Sequence, residues 1–143
     1  MHDAAIASWG LKGYYDYIRP ISALRYMAQN GQSSDSNLPN YNSIGIKLVE
    51  GFIESVKKDD VLAGKSGENI GKIKVLSWRG HQYVKDPKTD YGGVGWILAE
   101  NWFPYQRPTF VTPNFSGYVS GHSTYSRAAA AVSYTHLTLP TKA

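Results

Sequence analysis

Two segments near opposite ends of the 143-residue chain have the clearest helix-forming character, and a proline divides the first of them. Within residues 3–29 the apolar side chains recur at helical spacing. Pro20 predicts a kink or a break there, because proline lacks an amide hydrogen and clashes with the preceding turn. The alanine-rich stretch after Ser120 predicts a final helix. The sequence therefore predicts helical structure over residues 3–29, interrupted at Pro20, and from Ser120 onward.

The long middle of the chain also shows helical patterning. Residues 43–60, SIGIKLVEGFIESVKKDD, place apolar side chains at the spacing of an amphipathic helix. Residues 94–102 predict a short apolar helix that Pro104 would end, whereas KIKVLSW at residues 72–78 is compatible with a short strand or an extended segment. We therefore predict an all-α fold, a fragment of a helical bundle with long loops.

Charge and composition exclude several classes of function. The net charge of +4 is mild, and the cationic residues are scattered, so a nucleic-acid partner is not indicated. The chain has no cysteine, which excludes disulfides, thiol catalysis and cysteine-ligated zinc. No apolar run approaches the roughly 20 residues that cross a bilayer, so we expect no membrane span. Composition leaves the oligomeric state open.

Two cationic residues in KGYYDYIRP form the first candidate site. Lys12 and Arg19 are seven positions apart. On one helix this spacing is about two turns, so both side chains would leave the same face about 10 Å apart along the axis. Long cationic side chains at that spacing can converge on one small anion. A solvated basic face is the alternative interpretation.

The second candidate site is the tripeptide Ser120-Gly121-His122 at the predicted helix start. A helix N-terminus has free amides, and an N-cap serine adds a hydroxyl, so the two together can bind an anion. Glycine permits close approach of the backbone, and the histidine next to it is suited to proton transfer. An ordinary N-cap serine followed by a surface histidine is the alternative.

Taken together, the two sites resemble the superfamily of type 2 phosphatidic acid phosphatases and vanadium-dependent haloperoxidases. Its motifs are K-x6-R-P, P-S-G-H and S-R-x5-H-x3-D. The chain matches the first completely, and it matches the second with Val119 in place of proline. It does not match the third, because Ser126-Arg127 is followed by His136 at the wrong spacing and by no aspartate.

The resemblance implies a helical bundle and a role for each matching residue. Lys12, Arg19, Ser120 and Gly121 would bind vanadate or phosphate, and His122 would act as the catalytic acid and base. The third-motif histidine, which is the vanadium ligand or the phosphatase nucleophile in the family, is absent. No metal ligand is therefore assigned in this chain, and we expect this chain itself to be inactive.

Within that superfamily, the long polar insertion between Arg19 and Ser120 favours the haloperoxidase branch. The resemblance then implies an enzyme that oxidises halide with hydrogen peroxide and uses vanadate as its cofactor. A soluble acid phosphatase that hydrolyses a phosphoester without a cofactor is the alternative. A non-catalytic, basic, aromatic-rich binding module is an alternative of another class. The compartment is open, with export of the full-length protein one option.

A serine hydrolase with Ser120 as its nucleophile is excluded on sequence grounds. Ser120 and His122 are too close in the chain to form a working pair within one turn. The chain also has no G-x-S-x-G elbow.

The domain organisation is expected to be simple. Residues 1–131 form a partial domain that carries the first two motifs. Residues 132–143, VSYTHLTLPTKA, do not continue the alanine-rich pattern and resemble a translated sequencing adapter, so we predict a non-native segment. Leu137 and Leu139 in that segment should not reach the core.

A further set of chemically capable residues is expected to be structural. The loop histidine and two arginines should make ordinary hydrogen bonds or surface pairs, and the tryptophans should belong to the core. These residues are His81, Arg79, Arg107, Trp9, Trp78, Trp96 and Trp102.

Overall fold

The computed structural model describes residues 1–104, 107–110 and 113–137, with only the backbone of residues 136 and 137. The chain divides into two compact units. The terminal unit comprises Met1–Pro20 and Pro113–Ala143, and the central unit comprises Ile21–Thr112.

Three α-helices are present in the described chain: α1 His2–Tyr15, α2 Pro20–Gln29 and α3 Gly121–Leu137. Helix α1 ends where Asp16 adopts a left-handed conformation with φ of 42°, and α2 begins with Pro20, a position where proline costs no hydrogen bond. The predicted break at Pro20 is thus confirmed. In the terminal unit α1 packs against α3.

The central unit contains a three-stranded antiparallel sheet in the order β1-β2-β3, with Val75 of β2 facing Ile53 and Ile97. Its strands are β1 Ile53–Ser55, β2 Ile73–Trp78 and β3 Val94–Leu98. Short 3-10 turns occur at Val61–Ala63, His81–Tyr83 and Ala99–Asn101. The buried apolar residues are Ala28, Val56, Ala63 and Ile73.

The prediction of an all-α fold is therefore wrong, and the chain is mixed α/β. Residues 43–60 form turns and β1 instead of a helix. Gly51 has a φ of +78°, which a continuous helix does not allow, and its N–H donates to the Glu54 carboxylate at 2.8 Å. This conformation and this hydrogen bond form a turn immediately before β1. The apolar residues therefore do not lie on one helix, although their spacing in the sequence is helical.

The helix predicted at residues 94–102 is also wrong, because that stretch forms β3 and a 3-10 turn. A short apolar run fits a buried strand as well as a helix, and its periodicity does not distinguish them. Pairing with β2 decides between the two, since Trp96 and Ile97 lie opposite Leu76 and Val75. The alternative of a strand at residues 72–78 is confirmed.

The tryptophans are not uniformly in the core. Trp9 is 48% exposed and Trp78 is 37% exposed, so the prediction is wrong for both. His81 makes an edge contact with Trp78 at 4.8 Å between ring centroids. Arg79 donates from Nε to the Gly92 carbonyl at 2.7 Å, as expected for a structural arginine. Arg107 is exposed.

Helix α3 passes through Val132 without interruption and ends at Leu137. The expected end of the helical pattern at this point is not observed. Val132 and Tyr134 are exposed. The side chain of Leu137 and all of Leu139 lie outside the described residues, so the expectation that both avoid the core stays a prediction, as does the domain boundary at residue 131.

Among the residues that the structure describes, no helix combines the length and the apolar character that crossing a membrane requires.

An ion-pair cluster connects β2 to the turn that follows β1. The Lys74 ammonium pairs with Asp60 and lies 3.3 Å from Glu54 Oε2, above the ring of Trp96 at 4.5 Å. The hydrogen bond from Lys74, followed by that from the Leu62 N–H, lowers the pKa of Asp60 below its ordinary value of 3.8. The Asp60 charge therefore stabilises the folded chain.

We predict that Asp60→Asn lowers the free energy of unfolding at pH 7 by about 1.5 kcal/mol, the low end for a charged hydrogen bond, because Lys74 keeps Glu54. The folded pKa of Asp60 is depressed. Its contribution is thus complete above the unfolded pKa near 3.8 and is lost as pH falls through the folded pKa. Urea unfolding between pH 2 and 7 measures both effects. The exposed neighbour Asp59→Asn is the control, and equal losses in the two variants would contradict the prediction.

The Ser8 hydroxyl on α1 yields a second prediction. Ser8 is 1% exposed, and its Oγ has no hydrogen-bond partner among the residues that the structure describes. An unpaired buried hydroxyl is destabilising, so Ser8→Ala should raise the free energy of unfolding by about 1 kcal/mol or more. Part of any gain reflects the higher helix propensity of alanine. Ser126→Ala, at an exposed position of α3, measures that part alone by thermal unfolding, and an equal gain there would refute the burial argument.

Candidate functional site

A cavity of about 270 Å³ in the terminal unit is lined by all five residues that the sequence predicts for the site. Helix α1, the α1–α2 connection, the loop before α3 and the first turns of α3 form its walls. The lining residues are Trp9, Lys12, Arg19, Pro113, Phe115, Gly117, Ser120, Gly121, His122 and Tyr125. The structure thus brings together two motifs that are separated by most of the chain.

Lys12 lies in the last turn of α1 and is only 5% exposed. Its ammonium donates to the Ser116 carbonyl at 2.8 Å. A buried ammonium is costly unless its protons have acceptors, and this bond satisfies one of three. The other two N–H groups have no acceptor among the described protein atoms, so they are available for a ligand in the cavity.

Arg19 does not lie on the same helix as Lys12. It lies in the four-residue connection between α1 and α2, so the expectation of one shared helix face is wrong. Its Nε donates to the carbonyls of Phe115 at 3.2 Å and Pro113 at 3.3 Å. The two terminal nitrogens of its guanidinium have no acceptor among the described residues.

The Phe115 ring contacts both cations. Lys12 Nζ and Arg19 Cζ are each 5.1 Å from its centroid, within the range of a cation–π contact. The Trp9 ring meets Phe115 edge-on, with centroids 4.6 Å apart. Phe115 therefore contacts both cationic groups, although Lys12 lies on α1 and Arg19 lies in the connection between α1 and α2.

Ser120 caps α3 as the sequence predicts. Its Oγ accepts from the Ser123 N–H at 3.3 Å, and its carbonyl accepts from the Thr124 N–H at 3.1 Å. An N-cap hydroxyl that accepts from the backbone keeps its own proton to donate. The amides of Gly121 and His122 have no acceptor within the described chain, as is usual for a first helical turn.

The side chains at the start of α3 face two different environments. His122 is exposed at the rim of the cavity. Gly121 is closer to α1, and a Cβ built on it would lie 3.7 Å from Ser8 Oγ and 4.0 Å from Lys12 Cε. Those are ordinary contact distances, so the space around Gly121 does not by itself require glycine.

The charge of the cavity wall has one sign. Lys12, Arg19 and His122 contribute cationic or titratable nitrogen, and none of the lining residues is acidic. Within the described part of the chain, no group of three or more His, Cys, Asp or Glu side chains is placed to hold a metal ion. The cationic side chains and the absence of a lining carboxylate suit an anion.

Phe115 and Ser116 contact the predicted site residues but were not themselves predicted from the sequence. Phe115 contacts both cations through its ring, and Ser116 accepts from Lys12 through its carbonyl. Backbone acceptors leave no trace in residue type, so Ser116 has no sequence signal. The position of Phe115 shortly before the S-G-H motif is the only hint of its role.

Comparison with family models places the chain among known domains. Residues 1–138 match the family described as VCPO second helical-bundle domain. Neither the comparison with curated proteins nor that with solved structures gave a match. The family description names a helical bundle, and this chain adds a three-stranded sheet to its helices. Because the match covers nearly the whole chain, this protein belongs to that family, a vanadium haloperoxidase-related domain.

Proposed function

We propose that this chain is the vanadate- or phosphate-binding part of a vanadium-dependent haloperoxidase-like enzyme that oxidises halide with hydrogen peroxide. One observation carries the proposal. Lys12, Arg19 and the N-terminus of α3 line one cavity whose wall has no acidic residue. The vanadium haloperoxidase family, to which the domain is related, implies a vanadate cofactor in full-length proteins.

The donor set fits a tetrahedral oxyanion. Lys12 has two ammonium protons to offer, and the terminal nitrogens of Arg19 provide a planar fork suited to two oxygens. The Gly121 and His122 amides and the Ser120 hydroxyl donate at the positive end of the α3 dipole. These residues would hold the anion through charge-assisted hydrogen bonds.

Bound vanadate supplies the centre that activates peroxide for halide oxidation. Each protein residue has a separate task. Lys12 and Arg19 balance negative charge and fix the anion, while the Phe115 ring contacts both cationic groups. His122 is exposed at the rim, where its imidazole nitrogen can exchange a proton between the bound anion and solvent.

The alternatives differ in what they require of the site. The binding-module alternative expects Lys12 and Arg19 to lie apart from His122, and their common cavity argues against it. A phosphatase of the same superfamily uses the same donors, because phosphate and vanadate share charge and shape. An activity measurement therefore decides between oxidation and hydrolysis.

We predict that Lys12→Met and Arg19→Gln each weaken the binding of vanadate and inorganic phosphate roughly 10- to 100-fold, which is the value of one charge-assisted hydrogen bond. Methionine keeps an apolar stem at the buried position of Lys12 and removes the ammonium together with its hydrogen bond to the Ser116 carbonyl. Isothermal titration of the purified chain measures the affinity.

Lys58→Met is the matched control, since Lys58 is exposed and belongs to the central unit. It should leave the affinity unchanged. Equal affinities of all three variants and the wild type would show that the anion does not bind in this cavity.

His122→Ala is predicted to lower the turnover rate roughly 100-fold or more, with little change in vanadate affinity, because its assigned task is proton transfer. Turnover requires a form of the protein that carries the third motif, since we expect none from the present chain. Halide oxidation and p-nitrophenyl phosphate hydrolysis are measured in parallel. Hydrolysis that vanadate only inhibits would establish the phosphatase, and the absence of both activities would overturn the enzyme proposal.

A further inference from the structure

Ser116 is the buried residue at which the two candidate motifs meet. It is 9% exposed and lies in the loop before α3, between Phe115 and Gly117 of the cavity wall. Its carbonyl accepts the Lys12 ammonium at 2.8 Å, a contact between residues 104 positions apart in the chain. Ser116 itself belongs to neither sequence motif, so the contact depends on the loop.

The Ser116 hydroxyl makes a second connection, to the segment that carries Arg19. Its Oγ accepts from the Tyr17 N–H at 2.8 Å. The hydroxyl proton is within reach of the carbonyls of Tyr17 at 3.1 Å and Tyr118 at 3.0 Å, and it can be given to one of them at a time. A backbone bond from the Gly117 N–H to the Tyr17 carbonyl at 3.2 Å reinforces the same junction.

The bonded positions explain why this junction matters for the site. Tyr17 lies two residues before Arg19, and Tyr118 lies two residues before Ser120. The Ser116 hydroxyl therefore links the segment just before Arg19 to the segment just before Ser120. The carbonyl of the same residue then aims the Lys12 ammonium. One residue thus contacts the Lys12 ammonium directly and the backbone of the segment that carries Arg19.

We infer that Ser116 is a positioning residue that holds Lys12 and the Arg19 segment in register with the N-terminus of α3. The expected effect of Ser116 on anion affinity rests on the proposed function. The expected effect of Ser116 on the position of Lys12 does not. Without the hydroxyl, the Tyr17 N–H loses its buried acceptor, the loop relaxes, and the Ser116 carbonyl no longer meets the ammonium.

The first measurement needs no anion. Purified chain is labelled with an amine-reactive acetylating reagent, and mass spectrometry follows the rate at Lys12 relative to the exposed Lys58 in the same molecule. Ser116→Ala should raise the relative rate at Lys12 roughly 5- to 10-fold, as expected when a buried hydrogen bond is lost. Ser116→Thr, which keeps the hydroxyl, should restore protection of Lys12.

The second measurement is the affinity for inorganic phosphate. Ser116→Ala should weaken it roughly 5- to 10-fold, and Ser116→Thr should recover most of the loss. Ser33→Ala is the matched control. Ser33 is fully buried in the central unit, where its Oγ accepts from the Asp35 N–H at 3.3 Å. Ser33→Ala should change stability without changing Lys12 labelling or phosphate affinity.

The outcomes separate this inference from the proposed function. If the wild-type chain binds no phosphate but Ser116→Ala exposes Lys12, the positioning role stands and the anion site fails. If phosphate binds and Ser116→Ala alters neither labelling nor affinity, the positioning role is refuted and the anion site stands. Equal effects of Ser116→Ala and Ser33→Ala would reduce Ser116 to a general stabilising residue. Should Ser116→Ala not fold, Ser116→Cys, with its weaker hydrogen bonds, should give an intermediate change.

Discussion

The buried ammonium of Lys12 is the group on which the terminal unit depends. A cation that is 5% exposed must have acceptors, and its protein acceptor in the described chain is the Ser116 carbonyl. This requirement ties α1 to a loop that follows it by about 100 residues. In the same unit α1 packs on α3, and Lys12 lines the cavity together with the S-G-H motif.

The manner in which the two cations are held suits an anion site. Both Lys12 and Arg19 donate to backbone carbonyls and contact the ring of Phe115, and no carboxylate lines the cavity. A carboxylate partner would orient a cation and also cancel most of its charge. Carbonyl oxygens and a ring face orient the cation while leaving its net charge in place. In the central unit Lys74 shows the contrast, because it is paired with Asp60 and Glu54 and stabilises the fold.

Helix boundaries and site residues were predictable where the signal is local. The break at Pro20 and the cap at Ser120 follow from amide chemistry within a few residues. The sheet was not predictable in the same way. A three-residue strand such as β1 is too short to give a recognisable sequence pattern. A glycine at position 51 is also compatible with a helix, and only its φ of +78° shows that a helix does not form there. Strand pairing, a long-range interaction, decided between helix and strand.

The sequence alone determined which residue types are available to the site, since Lys12, Arg19 and Ser120-Gly121-His122 can be read from their motifs. Only the tertiary structure decided that they share one cavity, that Arg19 lies beyond the end of α1, and that Ser116 joins the two motifs. The physical reason is the range of the interactions. Caps and turns form between near neighbours. The hydrogen bonds of Ser116 with Lys12 and Tyr17 connect residues that are 104 and 99 positions apart, and residue order carries no record of such pairings.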